Sequence, residues 1–207
     1  MRALTLVISI LLVAGNAHAA PYTRVAWTPQ TLRFVKSGNG EHGKELAQSC
    51  AACHNPTNPA PQLEGQLATY LYRQLQDFKA GSRNDPVMTA MSSPLSDQDM
   101  ADIAAWYAGQ EPFRGTGGGD DPTRIANRGD PTRMEPPCAV CHNGGGEGEK
   151  VDTPRLAGQK AGYLEKTLMD YKSGSRANDV YHRMRLIAGK LSETEIKQLA
   201  EYYGKLR

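Results

Sequence analysis

Cys50-Ala51-Ala52-Cys53-His54 and Cys138-Ala139-Val140-Cys141-His142 contain every cysteine of this 207-residue chain. In each stretch two thiols stand one helical turn apart, and an imidazole follows the second directly. That spacing lets the two thiols add to the two vinyl groups of one haem and puts the histidine under the iron as its proximal ligand. Disulfides within each pair would be strained across two intervening residues and would explain neither histidine. A zinc site would need both pairs to converge on one metal and has no use for the histidines. A thioredoxin-like pair would sit at a strand-to-helix junction, and no alternating apolar strands are visible. The reading is two covalent haem c groups, one on Cys50, Cys53 and His54, the other on Cys138, Cys141 and His142.

Downstream of each motif the chain repeats itself. Residues 65–83, GQLATYLYRQLQDFKAGSR, match residues 158–176, GQKAGYLEKTLMDYKSGSR, at eleven of nineteen positions without a gap. Tyr70, Leu71, Leu75 and Phe78 correspond to Tyr163, Leu164, Leu168 and Tyr171, at the three- and four-residue spacing of a helix, and Gly81 and Gly174 follow as stops. A second matched pair covers residues 95–107 and 191–203. Ser96 with Asp99 resembles a capping box and Ser192 with Glu195 is one in full, while Leu95 with Met100 and Leu191 with Ile196 stand where a hydrophobic staple belongs. A short helix over residues 42–47 should lead into the first motif; Asp130-Pro131 interrupts its counterpart, which should be shorter. The expected fold class is all-α, two tandem domains each enclosing one haem. A domain of this size gains from a cofactor that supplies both apolar surface and a covalent staple.

The repeat also selects the second axial ligand. Aligning Leu95-Ser96 with Leu191-Ser192 gives an offset of 96, under which Met88 falls on Met184 while Met91 falls on Ile187 and Met100 on Ile196. Met88 and Met184 are therefore the expected distal ligands, each in a loop between two matched helices. His182 competes in the second copy but falls on Pro86, so it is not a duplicated feature; His42 reads as a surface residue. Closure by His54 with Met88, and by His142 with Met184, leaves no open coordination position, and a thioether favours the ferrous state. That is an arrangement for passing electrons and not for catalysis.

Outward from the repeats, the expected boundaries are a signal peptide at 1–19, an N-terminal arm at 20–38, a first domain at 39–112, a Gly-rich linker at 113–125 and a second domain at 126–207. The signal peptide rests on Arg2, an apolar run from Leu4 to Val13 too short to span a membrane, and Ala17-His18-Ala19. Export to the periplasm is the implied localisation. Residues 20–207 carry 23 Lys plus Arg against 22 Asp plus Glu, a balance with no nucleic-acid footprint. The surplus is uneven: residues 20–112 have seven basic against nine acidic side chains, and residues 113–207 have sixteen against thirteen. Arg183 and Arg185 flank Met184, so the second haem is expected to have the higher potential, by a margin that screening keeps modest.

With two C-x-x-C-H motifs, the duplicated G-Q…Y-L…D-F/Y-K…G-S-R segment, two methionines and two L-S-x-x-[DE] helix starts, the chain resembles the di-haem cytochrome c4 family of periplasmic carriers from about Gly40 onward. The resemblance implies class I cytochrome c folds with haems near the domain interface, and partners such as a terminal oxidase, a cytochrome complex or a periplasmic dehydrogenase. It also implies that Pro61 and Pro154, each ahead of a Leu-x-Gly-Gln turn, offer backbone carbonyls to the proximal histidines. The alternative within this reading is an electron-accepting subunit of a dehydrogenase complex. A di-haem peroxidase or thiosulfate-oxidising enzyme would need an iron with an open or unusual ligand, and every thiol here is already committed.

Overall fold

A computed structural model describes residues 22–149 and 151–207; the expected signal peptide lies outside the described residues. Eleven α-helices form among them, six in a first half and five in a second, with no strands beyond two isolated bridges. The first half runs α1 (Pro29–Lys36), α2 (Gly40–Leu46), α3 (Gln48–Ala51), α4 (Ala68–Lys79), α5 (Pro86–Ser92) and α6 (Asp97–Ala108). The second runs α7 (Ile125–Arg128), α8 (Ala139–His142), α9 (Ala161–Ser173), α10 (Arg183–Lys190) and α11 (Glu193–Lys205).

Local chemistry starts and stops the long helices. Ser96 and Ser192 each form a complete capping box, the hydroxyl accepting from the N3 amide while Asp99 or Glu195 accepts from the cap amide. Gly81 and Gly174 take positive φ of 73° and 80° where α4 and α9 end, a conformation that costs a side-chain-bearing residue more than glycine. The helix leading into the second motif is short, as Asp130-Pro131 demands: α7 is four residues long, and a 3₁₀ turn over Pro131–Arg133 follows it. The segments carrying Met88 and Met184 differ from the expected loops, since both are helical, within α5 and α10. In α5 the reason is local: Asp85 caps the helix by accepting from the Met88 amide at 2.9 Å, and Pro86 at the first position needs no donor partner.

Each half buries its own apolar cluster. In the first, α2 crosses α6 so closely that a Cβ on Gly43 would collide with the Asp102 carbonyl. Leu71 and Tyr72 of α4 and Met100, Ala101, Ile103, Ala104 and Tyr107 of α6 fill the space around that crossing. The arm belongs to this core as well, because α1 lays Val35, 1% exposed, into the same cluster. His42 is a surface residue, as expected, and it is anchored there: its Nδ1 lies 2.8 Å from Asp102 Oδ2, and the same buried carboxylate accepts from the Asn39 amide at 2.6 Å. In the second half Ile125 and Ala126 meet Leu164, Leu191, Ile196, Leu199, Ala200 and Tyr203. The Gly-rich connection is partly anchored, with the Gly115 and Gly117 amides donating to Leu206 O at 2.8 Å and Lys205 O at 2.9 Å.

The duplication extends to single hydrogen bonds. Gly65 N–H donates to Tyr107 O at 2.8 Å and Gly158 N–H to Tyr203 O at 2.9 Å, docking each Gly-Gln turn on its last helix. Lys79 caps Leu95 O at 2.5 Å and Lys172 caps Leu191 O at 2.6 Å. Arg83 lies over the Phe78 ring at 4.5 Å and Arg176 over Tyr171 at 4.6 Å.

Candidate haem sites and the surface between them

Both C-x-x-C-H stretches fold as one helical turn. His54 N–H donates to Cys50 O at 2.9 Å and Cys53 N–H at 3.1 Å; His142 N–H donates to Cys138 O at 2.9 Å and Cys141 N–H at 3.2 Å. The turn brings the thiols of each pair to one side of the backbone, and all four cysteines are free of disulfides. Burial pushes the Cys138 thiol up to about 11 and raises Cys50 as well, as expected of sulfurs embedded in apolar packing.

The histidines are held identically. His54 Nδ1 donates to Pro61 O at 2.8 Å and His142 Nδ1 to Pro154 O at 2.8 Å. Both rings are buried, and burial holds both pKa values below the ordinary imidazole range. A neutral ring whose Nδ1–H is engaged in this way presents the Nε2 lone pair, the atom a haem iron takes. The two carbonyls thus occupy the places that the resemblance implied.

Of the four methionines weighed as distal ligands, Met100 is fully buried in the apolar cluster, Met91 is 40% exposed at the surface, and Met88 and Met184 are half-buried. His182 is exposed and has a left-handed backbone, φ 58°. Of the two charges expected beside Met184, one is paired, Arg185 Nε meeting Asp179 Oδ1 at 2.7 Å, while Arg183 lies over the exposed Tyr181 ring.

Between the halves lies an array of buried and half-buried polar groups that no local sequence pattern announces. Gln66 and Gln159 occupy matching positions, and each spans the backbone of the opposite half. Gln66 accepts from Arg155 N at 2.8 Å and donates to Arg155 O at 3.0 Å; Gln159 accepts from Gln62 N at 3.0 Å and donates to Gln62 O at 3.0 Å. Farther along, Arg83 donates to Tyr163 OH at 3.1 Å and Arg176 to Tyr70 OH at 3.2 Å, while both guanidiniums share Gln74 Oε1. Apart from the shared Gln74, whose counterpart is Thr167, the array follows an internal two-fold: the glutamine–backbone and arginine–tyrosine contacts each have a mate 93 residues away. Burial would raise the Tyr163 phenol, but Arg83 and Arg176 pull it below its ordinary value.

These residues fit a haem in each half. In each half a pair of thiols, a ring nitrogen and a half-buried methionine thioether suit the macrocycle and its iron. The buried Arg176 and the half-buried Arg83 are held by neutral partners, Tyr70, Gln74 and Asn178 for the one and Tyr163 and Gln74 for the other.

A cytochrome c family model matches residues 40–108. The chain is 34% identical to cytochrome c4 of Azotobacter vinelandii, with 97% of each chain covered. This chain belongs to the cytochrome c4 family. The reduced recombinant cytochrome c4 of Pseudomonas stutzeri superposes with a TM-score of 0.78 at 36% identity, covering 83% of this chain and all of that one. A thiosulfate dehydrogenase electron acceptor of Stutzerimonas stutzeri strain A1501 is 34% identical over 77% of this chain and 80% of that one. The protein is accordingly a di-haem c-type cytochrome of two tandem class I domains, and its activity is electron transfer.

Proposed function

We propose that this cytochrome c4 is a periplasmic carrier that moves single electrons between redox partners and performs no substrate chemistry of its own. The observation that carries the reading is the duplicated proximal arrangement, two buried histidines each fixed by a proline carbonyl at 2.8 Å directly after a thiol pair. Cys50, Cys53 and His54 would hold one haem and Cys138, Cys141 and His142 the other, with Met88 and Met184 as the distal ligands. When bound, the haems supply one-electron redox chemistry at iron. The chain's own residues keep each imidazole neutral and oriented through the Pro61 and Pro154 carbonyls, and Met88 and Met184 would supply the thioethers. We place the mature N-terminus near Ala20, and the domains at 39–112 and 126–207 joined by a linker at 113–125, with residues 20–38 forming an arm.

A visible spectrum with a pyridine haemochrome assay tests this. Two haems per chain are expected, with the weak far-red band of Met-ligated ferric haem. Met88→Ala and Met184→Ala should each remove about half of that band and open one iron to carbon monoxide. A band untouched by either substitution would overturn the ligand assignment, and rapid carbon monoxide binding to the reduced wild-type protein would restore a catalytic reading.

The likeness to a thiosulfate dehydrogenase electron acceptor favours one second reading, in which this chain receives electrons from a periplasmic dehydrogenase as its dedicated subunit. Recovery of the native protein from periplasm as a lone monomer would sink it, and stable co-purification with a dehydrogenase would establish it.

A further inference from the structure

The interdomain glutamines share a peptide unit with each proximal histidine. The Pro61–Gln62 peptide accepts from His54 Nδ1 through its carbonyl at 2.8 Å and donates through its N–H to Gln159 Oε1 at 3.0 Å. The Pro154–Arg155 peptide accepts from His142 Nδ1 at 2.8 Å and donates to Gln66 Oε1 at 2.8 Å. Each glutamine amide is locked in orientation, because it faces a backbone N–H, which can only donate, and a backbone C=O, which can only accept. Gln62, Gln66 and Gln159 are all less than 10% exposed. Water therefore competes little for these bonds, and hydrogen bonds arranged in a chain polarise one another.

We propose that Gln66 and Gln159 are positioning residues for electron transfer that act across the domain interface, each tuning the haem of the opposite domain through a single peptide unit. This deepens the proposed function and rests on His54 and His142 being the proximal ligands. A peptide whose N–H is engaged carries more negative charge on its oxygen. That oxygen draws harder on the imidazole Nδ1–H, and Nε2 becomes the stronger donor. A stronger donor favours ferric iron, so each glutamine lowers the potential of the haem it does not share a domain with. The coupling is reciprocal: oxidation at one iron acidifies its histidine N–H and tightens the other domain's glutamine onto the backbone. Each haem's redox state is thereby felt by a side chain of the opposite domain.

The test uses the full di-haem protein with Gln159→Leu and Gln66→Leu. Gln159→Asn and Gln66→Asn serve as a second pair, one methylene too short to span the peptide while keeping amide polarity. Each haem's potential is read separately from its assigned methyl resonances during a redox titration, and exchange of the Gln62 and Arg155 amides is followed in the same samples. Gln159→Leu is expected to favour the ferrous form of the haem beside His54 by up to about threefold, because only the part of one hydrogen bond's worth that differs between the two oxidation states is read. It should also speed Gln62 amide exchange and move the haem beside His142 by less. Gln66→Leu should do the converse, and the Asn variants should move in the same directions. A shift confined to the variant's own domain, an equal shift of both haems, or none would overturn the proposal. An intact two-haem His/Met spectrum accompanying any of these results would leave the electron-carrier reading standing, whereas loss of that spectrum in the wild-type protein would remove both.

Discussion

At the residue scale, Glu135 shows how one position separates two copies of the same fold. Counted back from the first cysteine of each motif, Glu135 stands where the first domain has Ala47, and both are buried, at 3% exposure each. Both carboxylate oxygens of Glu135 lack hydrogen-bond partners, and the nearest cation, Lys190 Nζ, lies 3.8 Å away. Burial raises its pKa, with the Lys190 and Arg133 charges opposing only in part. A carboxyl group whose folded pKa is raised stabilises the fold fully below its unfolded value, and that contribution is lost as pH rises through the folded value. Glu135→Ala should therefore stabilise the protein at pH 7 by about 1 kcal/mol, the lower end of the cost of an unsatisfied buried polar group. The gain should shrink toward zero as pH falls to the ordinary glutamate range. Denaturant midpoints of wild type and variant at pH 4.5 and pH 7 check this, and a gain that grew on acidification would contradict it. Lys190 does not lose its only partner in the variant, since it also caps Met134 O at 2.8 Å.

At the element scale, the last helix of each domain is nucleated by chemistry confined to four residues. Ser192→Ala removes the hydroxyl that accepts from Glu195 N at 3.2 Å, and the loss should be about 1 kcal/mol, read as a lowered melting temperature. Ser96→Ala should cost a similar amount, because Ser96 accepts from Asp99 N at 3.1 Å in the same box; a difference of several-fold between the two would mean that tertiary packing and not the cap sets the start. Caps, stops, staples and the proximal turns are legible in the sequence because their partners lie within a few residues. The segments carrying Met88 and Met184 read as loops in the sequence because α5 and α10 are short, and the helix signal of α5 comes from Asp85 and Pro86, residues that equally suit a turn. The glutamine and arginine array was invisible for the opposite reason. Gln66 bonds a residue 89 positions away and Gln159 one 97 away, so no local pattern announces them, although their identity in both copies of the Gly-Gln turn was a usable signal.

At the scale of the whole molecule, the internal two-fold is broken on one side by the arm. Trp27 Nε1 donates to Asp152 Oδ2 at 2.7 Å, and Arg73 of α4 reaches the same oxygen at 2.8 Å. The arm and the first domain therefore close together on a single carboxylate of the second. Lys160 reaches the other way, donating to the carbonyls of Asn55, Asn58 and Ala60 in the segment between His54 and Pro61. These contacts add to the symmetric array and resist relative rotation of the domains, which the cross-interface tuning of the proximal peptides would require. Asp152 carries most of this on the arm side. Arg73 is 6% exposed and its Nε has no hydrogen-bond partner even with Asp152 present. Asp152→Ala would leave that guanidinium buried without its ion pair, a change that costs about 3 kcal/mol or more in comparable buried pairs. Trp27→Phe keeps the ion pair and gives up one hydrogen bond, for about 1 kcal/mol. Thermal unfolding should thus rank Asp152→Ala well below Trp27→Phe, and Trp27→Phe slightly below wild type. Should Trp27→Phe prove the more damaging, the arm and not the ion pair would be the principal fastening between the domains.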